Sequence, residues 1–188
     1  MINIYTDGSS TKTRSGWGWY LPLDPPIGCA GQEKGATNQR MELMAALQAL
    51  NYWYEFHSDD DVTIWTDSAY LHNCYLEKWY INWENNGWVN SKGEPVANKD
   101  LWINLITFFR NPQVNFGKVK GHSGHTYNEM ADKLATGAIT MDHVPNLTID
   151  EESDRINIEI SEILMDYTLK KYPVDETIKR IRKACKCE

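Results

Sequence analysis

Two short apolar runs constrain this chain more than any other feature. Residues 2–6 (INIYT) and 62–66 (VTIWT) both end on Thr-Asp followed by Gly or Ser. Such runs, bounded by small polar residues, are strand signals. If the two strands are parallel neighbours, Asp7 and Asp67 emerge at the same sheet edge, where α/β proteins form ligand sites. Two further acids, Glu42 in TNQRMELMAA and Asp132 in NEMADKLA, fall on helical patterns among small or apolar residues. Acids placed this way cost desolvation energy unless something positive offsets it. Hard divalent cations, which prefer oxygen ligands, do so with few residues. Taken singly, each acid has a plainer reading. Asp67 could cap the helix that follows it, Glu42 could be an exposed helix residue, and Asp132 could favour a helix N-terminus. Together they read as carboxylates gathered around metal for phosphodiester chemistry.

The rest of the pattern supplies the frame. Residues 15–23 alternate glycine or polar with aromatic and predict a second strand, and 27–34 a third beyond the Asp24-Pro25-Pro26 turn. A helix is expected over 38–57, with Leu43, Leu47, Leu50 and Tyr54 on one face. Ala45, Ala46 and Ala49 would let that helix approach the sheet and carry Glu42 to the aspartates. A single helix is expected over 68–84, a loop over 87–97, and a helix from NKDLW to Arg110. A fifth strand is expected over 114–120, then a helix over 127–139 entered by a Thr126-x-x-Glu129 capping box.

Beyond residue 140 the character changes. VPNLTIDEESD reads as a polar linker, followed by two segments of helical spacing, the first from Ile156 to Tyr167 and the second after Pro173. Lys179, Arg180, Arg182 and Lys183 close the second, as its dipole favours. The expected division is a catalytic domain over 1–140 and a linker with a helical extension over 141–188. The extension's apolar faces would bury on the core or on a partner protein, or its basic end would lie on nucleic acid.

A net charge of −7 is unusual for a protein that handles nucleic acid. Residues 1–140 carry 11 Lys or Arg against 15 Asp or Glu, so a metal-neutralised cluster of four acids accounts for much of the excess. Phosphate attraction would then come from local patches and metal rather than a global field. The N-terminus lacks a signal-peptide pattern and no run reaches membrane-spanning length. The four cysteines show no zinc-type pairing. A cytoplasmic monomer with reduced thiols and no membrane association is expected.

In order, the motifs YTDGS, TNQRMEL, TDSAY, NGW, NKDLW and VKGHSGHTYNEMADKLA resemble those of type 1 ribonuclease H over residues 1 to about 140. The last is the most specific, since His122, His125, Asn128, Glu129 and Asp132 all keep the family's spacing. The resemblance implies a ribonuclease H-like α/β fold, a mixed five-stranded sheet of order 3-2-1-4-5 flanked by helices. It implies endonucleolytic cleavage of the RNA strand of RNA–DNA hybrids, largely independent of sequence, leaving 5′-phosphate and 3′-hydroxyl ends. Two Mg²⁺ ions are implied, with Mn²⁺ as a substitute. Asp7 would bridge both ions, Asp132 would join it on the nucleophile side, and Glu42 and Asp67 would hold the leaving-group side. Glu42 would also lie near a ribose 2′-hydroxyl. His122 would sit in a loop beside the site and move a proton or aid product release, a task suited to a group that titrates near neutrality. The pair His122 and His125 could instead be a His-x-x-His metal site. Thr37, Asn38 and Gln39 match the stretch that touches the DNA strand, Asn98 the phosphate pocket, and Trp79, Trp83 and Trp88 the gripping aromatics. Core packing is the alternative for these tryptophans, and one of the three is expected to serve that way.

Departures from the pattern concern affinity. The segment 84–99 holds Glu84, Lys92, Glu94 and Lys99, a neutral balance, and Gly35 and Ala69 replace polar or basic contacts of some relatives. Competing readings are a related nuclease or transposase with another substrate, a non-catalytic binding module, or a fragment of a reverse transcriptase. The Gly-His-Ser-Gly-His and Asn-Gly-Trp loops weigh against the first, and the four acids against the second. Met1 opening the first strand leads us to expect a free-standing nuclease rather than the third.

Overall fold

A computed structural model describes residues 1–121 and 123–140 of the chain. The expectations for His122 and for 141–188 lie outside them. The strands are β1 (Ile2–Ser10), β2 (Ser15–Leu21), β3 (Ile27–Gln32), β4 (Val62–Thr66) and β5 (Val114–Lys118). The helices are α1 (Asn38–Phe56), α2 (Ala69–Glu77), α3 (Trp79–Asn85), α4 (Lys99–Phe109) and α5 (Thr126–Thr140). The sheet order is β3-β2-β1-β4-β5, as expected. β1, β2 and β3 are antiparallel neighbours, and β4 and β5 run parallel to β1.

Strand alternation explains how both faces are used. Trp17 and Trp19 of β2 join the core with Met41, Leu43, Leu47 and Leu50 of α1. Trp19 packs against Tyr52 of α1 with the rings tilted and their centroids 4.7 Å apart. The residues between them point the other way. A Cβ on Gly18 would lie 2.6 Å from the Ala135 nitrogen of α5, so only glycine lets this helix sit so close. The Gly-aromatic alternation of β2 is therefore a record of two helices at unequal distances from one strand.

Three differences from the sequence reading have physical causes. The helix expected over 68–84 is broken at Lys78, which takes the left-handed conformation at φ 54°. Leu71 and Cys74 face the core before the break, and Tyr80 and Trp83 after it. One unbroken helix would not put both pairs on one face, so the break re-phases the second segment. The capping box does not form: the Glu129 N–H donates to the His125 carbonyl at 3.0 Å. This makes His125 the cap and places Thr126 one residue inside α5. β1 continues to Ser10, so Asp7 lies within the strand rather than at its end. Among the described residues no helix is long and apolar enough to cross a membrane.

Candidate active site

The parallel β1–β4 register runs from Ile2↔Val62 to Thr6↔Thr66, and Asp7 and Asp67 are the next residues on each strand. β4 stops there while β1 continues, paired only with β2 on its other side. The two carboxylates thus arise where the sheet loses a strand. Asp132 comes from α5 on the Gly18 face, and Asp7 pairs with Gly18. Glu42 comes from α1 on the opposite face, beside Gly8. A Cβ on Gly8 would overlap the Glu42 nitrogen and lie 2.6 Å from the Met41 carbonyl carbon. Gly8 and Gly18 are therefore what let two helices bring acids to one strand from both sides.

Electrostatics link the four groups. Asp7 is 8% exposed and accepts the Gly8 N–H at 2.7 Å. Burial pushes its carboxyl up to about 8, with further upward pushes from Asp67, Asp132 and Glu42 against the lowering effect of the Gly8 bond. Burial also raises Glu42. The Ser68 hydroxyl bond lowers it, Asp67 raises it, and the Asn38 amide lowers it. That amide donates to the second Glu42 oxygen at 2.9 Å, and Ser68 also caps α2 by accepting from the Leu71 N–H at 3.4 Å. Asp132 accepts the Thr136 hydroxyl at 3.2 Å. The Asp67 carboxylate lies so near Gly121 that a Cβ there would overlap it. Among the described residues no three His, Cys, Asp or Glu side chains converge closely enough to hold one ion as they stand. Mutual repulsion between carboxylates opposes such closure.

These shifts set a pH dependence. Folded Asp7 titrates near 8, against 3.8 for an ordinary aspartate, so between those values the folded state holds a proton the unfolded state has lost. Its contribution to stability is complete below pH about 4 and is lost as pH rises through about 8. Urea midpoints of the metal-free protein are therefore expected to carry a component that falls across this window and disappears in Asp7→Asn. An Asp7→Asn profile parallel to wild type would contradict this.

The substrate-side candidates are dispersed around this centre. Thr37 caps α1, its hydroxyl oxygen accepting the Arg40 N–H at 3.2 Å. Asn38 and Gln39 follow on the exposed start of the helix. Asn98 caps α4 from the left-handed region, its carbonyl accepting from Leu101 and Trp102. Trp79 and Trp88 are half-buried, whereas Trp83 is 8% exposed and packs between them and Trp102. His125 lies 5.1 Å from the Tyr5 ring.

Sequence reasoning missed Gly8, Ser68 and Arg40. Arg40 holds Asp100 of α4 through two bonds of 3.0 and 2.9 Å and Glu33 through bonds of 2.8 and 2.9 Å. The signals were present as the Gly of TDGS, the Ser of TDSAY and the Arg of NQRMEL.

The RNase H family model matches residues 1–140, all of the chain that contributes these groups. The chain belongs to the ribonuclease H family. It is 46% identical over 141 residues to ribonuclease H of Syntrophomonas wolfei, covering 73% of this chain and 95% of that protein. It is 43% identical over 143 residues to ribonuclease H of Francisella tularensis subsp. novicida, covering 73% and 90%. Among solved structures, LC11-RNase H1 in complex with an RNA/DNA hybrid matches with a TM-score of 0.55 at 21% identity, over 74% of this chain and 97% of that one. At that identity the likeness bears on the fold alone.

Proposed function

We propose that residues 1–140 form an endonuclease that cuts the RNA strand of RNA–DNA hybrids, with 141–188 as an extension. The reading is supported above all by the buried Asp7, whose carboxyl Asp67, Asp132 and Glu42 lie near enough to raise. The relatives named ribonuclease H agree with it. An all-oxygen donor set whose central member is pushed to about 8 by burial and like charge suits hard divalent cations. Two Mg²⁺ ions would be held by these residues, with Asp7 serving both, Asp132 one, and Glu42 and Asp67 the other. When bound, such ions neutralise phosphate charge, activate the attacking water and stabilise the leaving oxygen.

The chain's own residues do the positioning. Ser68 and Asn38 hold both oxygens of Glu42, so this acid is oriented before substrate arrives. Gly8 fixes the Asp7 carboxylate through its N–H. Thr37, Asn38 and Gln39 offer exposed polar groups to the DNA strand, and Asn98 a further one to phosphate. Trp79 and Trp88 offer ring faces, with Trp83 behind them. His122 is assigned proton transfer or product release. A hybrid is read by groove shape and 2′-hydroxyls rather than base edges, so cutting independent of sequence is expected. We place the enzyme in the cytoplasm as a monomer, with Mn²⁺ able to replace Mg²⁺.

The test is cleavage of an end-labelled hybrid with Mg²⁺, beside single-stranded RNA, RNA duplex and DNA duplex. Cutting confined to the RNA of the hybrid, giving 5′-phosphate and 3′-hydroxyl ends, is the expected result. Equal cutting of RNA duplex, or none of the hybrid, would overturn the assignment.

A further inference from the structure

The start of α4 carries three consecutive residues with separate tasks. Asn98 gives its carbonyl to the helix, and Asp100 is fixed by Arg40. Lys99, between them, places its ammonium 5.2 Å from the centroid of the Trp88 ring. Among the described residues no carboxylate pairs with Lys99.

The ring beneath it is itself held. Trp88 takes the left-handed conformation at φ 67°, unusual for a bulky side chain. Its N–H donates to the Trp83 carbonyl at 2.7 Å and its carbonyl accepts the Val96 N–H at 2.9 Å, which pins that conformation. A cation over a ring face keeps its N–H donors available to an anion. Because the lysine stem is already confined, less rotamer freedom is lost on binding.

Arg40 connects this shelf to the exposed start of α1. Its backbone N–H bonds Thr37 while its guanidinium bonds Asp100, next to Lys99. The neighbouring acids are occupied: Glu84 takes Arg110 at 2.7 Å, and Glu94 takes the Asn90 amide at 3.2 Å. The neutral count of residues 84–99 therefore conceals a cation laid on a ring and, among the described residues, in no ion pair.

We infer that Lys99, laid on Trp88 and set against the start of α1 through Asp100 and Arg40, is a contact for a backbone phosphate of the hybrid. This rests on the hybrid-nuclease reading. The experiment measures KM, kcat and salt dependence of hybrid cleavage for wild type, Lys99→Gln and Lys99→Arg, with melting curves to show that all three fold. Loss of one phosphate contact makes the log–log salt slope shallower by about 0.9 in Lys99→Gln, so affinity falls about 3-fold less than wild type between about 50 and 200 mM salt. The defect is expected in KM, alike for hybrids of different sequence, and Lys99→Arg is expected to restore both KM and slope. Wild-type KM and slope in Lys99→Gln, with hybrid cleavage intact, would overturn the Lys99 assignment alone. Failure of wild type to cut or bind hybrid would overturn the underlying reading instead.

Discussion

Asp7→Asn is expected to abolish Mg²⁺-dependent cleavage of the hybrid while leaving the fold standing. Asparagine has nearly the shape of aspartate and can still accept the Gly8 N–H that now measures 2.7 Å. It loses the charge assigned to both ions, which no other residue in the cluster is placed to replace. A fall of at least ~10³-fold in single-turnover rate is expected, equivalent to about 4 kcal/mol of transition-state stabilisation. Stability should move in the other direction. Wild-type Asp7 is 8% exposed among three other acids, and its ionisation is opposed by both burial and repulsion. Removing the charge removes that opposition, so the variant should melt higher than metal-free wild type above pH about 8. Added Mg²⁺ should raise the melting temperature of wild type far more than that of Asp7→Asn, because only wild type has the full ligand set. Near-wild-type cleavage in Asp7→Asn would end the case for this aspartate as the shared ligand. Lost cleavage with a collapsed fold would leave its role in chemistry unproven and move the test to Asp132→Asn on α5.

The sheet was legible because its signals are local. The two Thr-Asp runs gave β1 and β4, and the shared ending carried the parallel register that sets Asp7 beside Asp67. The alternation in β2 marked a strand, and the structure adds that it is buried on both faces, through Trp17, Gly18 and Trp19. The break at Lys78 left no such signal. Lysine ordinarily continues a helix, and the left-handed turn is imposed by the burial of Tyr80 and Trp83, a tertiary demand. The Thr126-x-x-Glu129 pattern misled for a related reason: a capping box is local, but the ring contacts of His125 and Tyr127 with Tyr5 accompany a start one residue earlier. At the site, the acids could be named from their motifs, but the contacts that orient them could not. Ser68 reaches Glu42 across 26 positions and Arg40 reaches Asp100 across 60, distances at which sequence spacing carries no geometry.

Gly8→Ala is expected to be among the costliest single methyl additions in the described fold, and to damage stability and cleavage together. The added Cβ would overlap the backbone nitrogen of Glu42 and lie 2.6 Å from the Met41 carbonyl carbon and 2.9 Å from the Met41 Cβ. Backbone atoms of a helix cannot rotate aside as a flexible side chain can. α1 must move, yet it is held by a wholly buried set that includes Leu43, Ala46, Leu50 and Trp53. Overpacking in cores usually costs about 1–3 kcal/mol, and the upper end or beyond is expected where the obstacle is main chain. The same displacement shifts Glu42 away from Ser68 and from the Asp7 side of the cluster. A misplacement of about 1 Å can cost on the order of 10²-fold in rate, so the cleavage defect should exceed what the unfolded fraction explains. Gly35→Ala separates this from a generic glycine effect. Gly35 has φ 75° and open space around its Cβ position, so alanine there meets only backbone strain of roughly 1–2 kcal/mol. Urea unfolding and single-turnover cleavage at saturating Mg²⁺ should therefore rank Gly35→Ala as modestly less stable with nearly normal chemistry, and Gly8→Ala as deficient in both. Equal stability losses with equal, normal cleavage would mean that α1 can slide without carrying Glu42 off its position, and that the close approach at Gly8 is not what sets the site.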